Sequence, residues 1–420
     1  MNKKIIAFLF LAMSTLLMTS CLKNQDDIFD TSASIRVTEY LKNARRVLTS
    51  AENGWVMNYY PDNLQGYGGF SYVLKFDDSN VTAYFVNGKT GTQTLGDGST
   101  VEVPLGETST YSLTNEDGPV IAFDTYNDYL HYFATPSAGA YEAQGGDFIF
   151  IILNISEDEN TITLKGSRSG NLVRLYRNTT TPEQYITECI NVTQSQLYET
   201  FASDDVLLDL DLESQQAVVS VGEESAETSF IINNKGIKFY EPVIVGGKTF
   251  DAFIYDAENK TYTSVENNAL VLAGKLPDGW RSYEDLAGKY KVGSSTITVK
   301  TNPDGETYSI TGFVDGVSGT IKASYKFTKG SFVLSPQYAG MYGSSYHIWL
   351  LAYGDSGLSW DQSIQFKGKN SATDPLTITF SNSSWDTIWA GAFESDPPTG
   401  DSYAGYLQQY SDPLLFERID

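Results

Sequence analysis

Four of the six tryptophans, Trp349, Trp360, Trp385 and Trp389, fall within one short stretch near the C-terminus. An indole face stacks on the apolar face of a sugar ring, and carboxylates or amides beside it bond the hydroxyls. Trp360-Asp361 and Trp385-Asp386 place an indole next to an acid in polar sequence, where exposure is expected. These four residues are the candidate ligand-binding set, with Asn382 and Tyr346 nearby. Trp349 lies in the apolar run 348–352 and reads as core. Catalytic groups do not assemble in the same way. His131 and His347 are the only histidines, and neither stands in a His-Glu-x-x-His pattern, which excludes a zinc protease of that type. Cys189 has no metal-spaced partner and falls on the apolar face of a helical segment, as a core thiol would. The 52 acidic residues offer many carboxylate pairs for glycoside hydrolysis, but none in a distinctive motif. The run Asp204, Asp205, Asp209, Asp211, Glu213 lacks the glycine-containing loop of an EF-hand and reads as solvated surface. No catalytic residue, metal or cofactor is assigned, and the chain is not expected to be an enzyme.

Gly354-Asp355-Ser356 and Asp128-Tyr129-Leu130-His131 carry the residues of the Gly-Asp-Ser esterase motifs, but in reversed order. The triplet recurs at Gly400-Asp401-Ser402, so composition accounts for it. The N-terminus supplies a different chemistry. Lys3 and Lys4 precede an apolar run, 5–18, which is shorter than the roughly 20 residues that span a bilayer. The run ends in Leu17-Met18-Thr19-Ser20-Cys21, which resembles a bacterial lipobox with Met18 where leucine is preferred. Residues 1–20 are therefore expected to be a lipoprotein signal peptide and Cys21 the lipid attachment site. A lipidated Cys21 leaves Cys189 as the only thiol, with no internal disulfide. Residues 21–32 read as a flexible tether. Within it Lys23, Asp26 and Asp27 resemble the lysine-plus-acidic export signal of Bacteroidetes surface lipoproteins. A net charge of -24 repels polyanions and argues against nucleic acid as a partner.

The elements that must position these residues are mainly strands. A helix is expected from residue 33, with Val37, Tyr40, Leu41, Ala44, Leu48 and Ala51 at helical spacing, Thr31, Ser32 or Ser34 as cap, and Asn53-Gly54 as its stop. Short β-type runs follow, and 147–177 predicts a three-stranded antiparallel meander. Thr181-Pro182-Glu183-Gln184 forms a capping box for a second helix. Beyond residue 205 short strands recur with turn signals, and 414–416 is placed to close a sheet. The expected architecture is mainly β, with two antiparallel β-sandwich or barrel-like domains and one or two surface helices. Residues 33–178 form the first domain and 179–420 the second, with a further subdivision near 277 at Pro277-Asp278-Gly279.

Several local phrases recur together over nearly the full length: Asn53-Gly54-Trp55, Tyr59-Tyr60-Pro61, Gly68-Gly69-Phe70, Gly145-Gly146-Asp147-Phe148 and Leu286-Ala287-Gly288-Lys289-Tyr290. With the lipobox and tether they resemble a Bacteroidetes outer-membrane lipoprotein family of unknown function, of the kind encoded beside SusC/SusD-like uptake pairs. The resemblance implies an accessory role in nutrient uptake at the cell surface. The ligand would be a glycan, peptide or cofactor, and the partner a SusC/SusD-like complex. A purely structural lipoprotein of such a complex and a hydrolase with unrecognised carboxylate chemistry are the alternatives.

Overall fold

The computed structural model describes residues 32–116, 118–136, 143–267, 270–410 and 413–420. Cys21, Lys23, Asp26 and Asp27 lie outside them. The architecture is mainly β, built on three closed antiparallel barrels of eight strands each. No helix among the described residues is long and apolar enough to cross a membrane. Two compact units are present. One runs to Ile190 and includes Ile231–Asn234, and the other comprises Asn191–Phe230 and Lys235–Asp420.

The first unit begins with helix α1 (Ala33–Thr49), capped by Ser32, whose hydroxyl accepts from the Ile35 N–H at 3.4 Å. Ala44, Val47 and Leu48 on its inner face join the core of the first barrel. Trp55, fully buried, ties the two together by donating its indole N–H to the Leu48 carbonyl at 2.9 Å. The helix stops at Thr49, and Gly54 shapes the turn after it rather than the stop itself. Only glycine fits there. Its φ is +75°, and a Cβ would lie 2.6 Å from the Leu74 carbonyl oxygen.

Alternation of buried and half-exposed residues along strands such as Asn80–Phe85 sends every second side chain into the barrel. Aromatic rings fill it, with Tyr72 and Phe85 stacked at 4.3 Å. The expected meander is present as Ile149–Ile155, Thr161–Gly166 and Leu172–Arg177, and the last of these closes the barrel on Trp55–Tyr59. Helix α2 (Pro182–Ser195) starts at Thr181, whose hydroxyl accepts from the Gln184 N–H. Its Tyr185, Ile186 and Cys189 bury against Val56 and Val73 of the first barrel. The division between the units therefore falls at Ile190, inside this helix. Burial pushes the Cys189 thiol up to about 12, as expected of a core residue.

The second barrel runs in unbroken chain order from Thr200–Ala202 to Val271–Lys275. The third starts at Gly288–Val292 and is closed by Leu414–Arg418, which pairs with both Gly288–Val292 and Thr377–Ser381. Residue 277 lies in the connection between these two barrels. Two segments interrupt the third barrel. Gln337–Tyr342, Tyr346–Gly354 and Gly357–Ser359 come from one, and Thr387–Phe393 and Tyr403–Gln409 from the other. They pair with each other into a separate five-stranded sheet.

Candidate functional site

The inserted sheet holds the aromatic residues to which the sequence pointed. In Tyr346–Gly354 the even-numbered Ile348, Leu350 and Ala352 enter the core of the third barrel. The odd-numbered Trp349 and Leu351 point the other way, into a separate cluster. The strand Thr387–Phe393 repeats the pattern, with Ile388 and Ala390 inside and Trp389 and Phe393 outside. Register aligns them: Leu351 faces Trp389, Trp349 faces Gly391, and Gly391 faces Tyr406. A Cβ at Gly391 would lie 2.4 Å from Leu351 Cδ1, so any side chain there forces the buried Leu351 to shift.

This outer layer is mostly aromatic. Tyr353 stacks on Trp389 with centroids 4.4 Å apart and planes 20° apart, and Tyr406 meets Trp389 edge-on at 5.2 Å. Trp360 and Tyr403 flank Phe393 at 5.7 and 5.4 Å, and Tyr338 abuts His347 and Trp349. Leu351 and Phe393 are sealed beneath, whereas Tyr338, Tyr353, Tyr403 and Tyr406 remain exposed, Tyr406 to 58%. Acids stand at its edge. The Trp349 indole donates to Asp396 Oδ1 at 3.1 Å, and burial together with the Asp396 charge raises the Tyr338 phenol. Exposed rings with phenols and a carboxylate beside them offer apolar contact and hydrogen bonds to a hydroxyl-rich ligand.

The structure divides the sequence-predicted residues between two places. Trp360 belongs to the outer cluster, and the exposed Asp361 beside it is held below the usual carboxylate range by the Ser363 N–H at 2.9 Å. Trp385 instead packs on the core of the third barrel, with its N–H bonded to Asn382 Oδ1 at 3.1 Å. It lines a cleft shared with Asp211, Glu213, Gln365 and Lys367. Asp386 is exposed, and its N–H donates to the Tyr353 carbonyl at 2.8 Å, fixing the end of the aromatic strand. Both tryptophans are half-buried rather than fully exposed. Trp349 is buried as expected, but by the outer cluster and not by the barrel core.

Tyr353, Tyr403 and Tyr406 are not marked in the sequence reading, where Trp389 enters only as a member of the tryptophan cluster. The available signal was the alternation His347-x-Trp349-x-Leu351-x-Tyr353, which a reading of 348–352 as one apolar run conceals. The esterase-like residues do not cooperate: Asp128 pairs with Lys89 Nζ at 2.7 Å, and His131 Nδ1 lies against the backbone of Asn127. Burial keeps that imidazole below its ordinary value, so it is neutral at pH 7. Among the described residues no three His, Cys, Asp or Glu side chains gather to hold a metal ion.

Comparison with protein families gives two matches. A family described as a domain of unknown function (DUF4302) matches residues 25–257, and a second domain of unknown function (DUF4987) matches residues 263–388. Comparison with curated proteins finds no match.

Proposed function

The chain belongs to the DUF4302 family of unknown function, and we propose from its own surfaces that it is a non-catalytic capture protein for a neutral glycan. The observation that carries this reading is the solvent-facing ring surface of Tyr353, Trp389 and Tyr406. Aromatic side chains already packed against one another offer a preformed site, so little ordering is lost when a sugar settles against their exposed parts. The acids at its edge and the charge of -24 favour a neutral sugar over an acidic one.

In this reading Cys21 carries a lipid anchor, and Lys23, Asp26 and Asp27 direct the chain to the outer surface of the outer membrane. There it delivers its ligand to a SusC/SusD-like uptake complex. The test is a screen of neutral and acidic oligosaccharides against the wild-type chain and the Trp389→Ala and Tyr406→Ala variants. Binding of a neutral glycan that weakens about tenfold or more in both variants supports the proposal. Equal binding by all three proteins, or none by wild type, overturns it and leaves a structural role in the complex. Protease shaving of intact cells with Cys21→Ala and Asp26/Asp27→Ala variants tests the address separately.

A further inference from the structure

The loops that follow strands Asn80–Phe85 and Pro119–Phe123 leave the first barrel at the same end, because Glu107–Asn115 between them runs antiparallel to both. Asn127, fully buried, fastens the second loop. Its amide donates to the Glu107 carbonyl at 3.1 Å, and its side-chain oxygen accepts from the Tyr129 and Leu130 N–H groups at 3.0 and 3.1 Å. The buried Tyr129 ties the loops together, its hydroxyl accepting from the Lys89 N–H at 2.9 Å. Leu130 and Phe133 also enter the barrel core, whereas Tyr126 and Tyr132 stay 62% and 49% exposed. Tyr126 is braced on His131, with centroids 5.4 Å apart, and Tyr132 on Phe85 at 5.5 Å. These two tyrosines and Phe85 wall a cleft of about 570 Å³, within the roughly 300–1,000 Å³ typical of small-molecule sites. The mouth of a barrel is a common place for one.

The polar groups of the cleft define its occupant. Lys89 and Asp128 pair at 2.7 Å, so the cleft has no unbalanced charge to offer an ionic ligand. Both remain partly exposed, and the ammonium can still donate while the carboxylate still accepts. Asn87 and Gln144 add two side-chain amides that no group among the described residues bonds, each with donors and an acceptor. A sugar hydroxyl both donates and accepts. Neighbouring hydroxyls on a neutral ring therefore match paired donors and acceptors of this kind, while the aromatic wall takes the apolar face of the ring. A planar heterocycle would use the wall but has no row of hydroxyls for the ion pair.

We propose that this cleft is a second neutral-glycan site, so that the chain holds its ligand at two places, one on each compact unit. The site uses none of the residues of the aromatic sheet, and its ligand class rests on its own groups.

The test is calorimetric titration of the full chain with neutral gluco-, manno- and xylo-oligosaccharides, and with adenosine as a planar heterocycle. A sugar that binds is expected to fill two sites on wild type and one on Trp389→Ala. Adding Tyr126→Ala/Tyr132→Ala to Trp389→Ala should weaken the remaining site about tenfold or more. Adding Asn87→Leu/Gln144→Leu instead should do the same while keeping the rings. All four side chains are accessible, so both sets should leave the melting temperature close to that of Trp389→Ala. If Trp389→Ala binds as wild type does and Tyr126→Ala/Tyr132→Ala alone loses all binding, the aromatic sheet drops out and this cleft stands. Absence of sugar binding by Trp389→Ala at millimolar concentration overturns the proposal. So does binding that survives the tyrosine replacements, or a cleft that takes adenosine and no sugar.

Discussion

The second and third barrels are closed by the same number of strands and both fill their interiors with aromatic rings, yet only the third carries an inserted sheet that exposes others. The second runs without interruption, and Phe201, Phe230, Phe239, Phe250, Phe253 and Tyr262 are all buried inside it. The third is interrupted twice, and the inserted sheet turns Tyr338, Tyr353, Tyr403 and Tyr406 toward solvent. A closed barrel has one inner face and spends its large side chains filling it. A sheet laid against a barrel has a second face that the barrel core does not need. The insertions therefore add a surface without altering the closure beneath, and this separates scaffold from candidate site within one compact unit.

The largest effect should come from breaking the scaffold. Phe253→Ala removes a ring packed among Phe239, Phe250 and Tyr262 and should cost about 3–5 kcal/mol in urea unfolding. A loss of less than about 1 kcal/mol would show that the second barrel is loosely filled. Gly391→Ala comes next. The added methyl meets Leu351 in the outer layer, and overpacking of this kind costs about 1–3 kcal/mol. It should also disturb the ring surface, so glycan binding should fall together with stability. Unchanged stability would mean that the sheet yields more easily than its packing suggests.

The scaffold was more legible in the sequence than the site, for a physical reason. Caps and barrel strands follow local rules. Ser32 and Thr181 announce their helices, and Leu414–Arg418 has the residue types of a closing strand. The ring surface depends on register. Trp389 and Tyr353 meet because Leu351 pairs with Trp389 across two strands separated by more than thirty residues of chain, and no local pattern records that pairing. Trp360 and Trp385 share the same motif, an indole before an acid, and were indistinguishable until the fold sent one to the outer cluster and the other to the barrel core.

Tyr406→Ala sharpens the comparison from the other side. The ring is mostly exposed, so stability should stay within about 0.5 kcal/mol of wild type. Glycan affinity should drop about tenfold, or about 1.4 kcal/mol. A variant that lost stability but not affinity would place the ring in the scaffold and remove it from the site.

The smallest effect concerns what the two barrels share. Asp256 in the second accepts from the Glu258 and Asn259 N–H groups and the Asn259 amide, and Asp304 in the third accepts from Glu306, Thr307 and the Thr307 hydroxyl. For Asp256 the Asn259 side chain, and for Asp304 the Thr307 hydroxyl, does most to hold the carboxyl below its ordinary 3.8. A depressed folded-state value means that the unfolded chain takes up the proton first. Both turns therefore stabilise the fold above pH 3.8 and lose that contribution as pH falls through the lower folded values. Asp256→Asn and Asp304→Asn keep an acceptor oxygen that does not titrate in this range, so each should flatten the acid limb of a stability profile measured from pH 7 to about pH 2. If only one of the two flattens it, the barrels unfold separately in acid. If both flatten it equally, the second and third barrels melt as one cooperative body despite their different burdens.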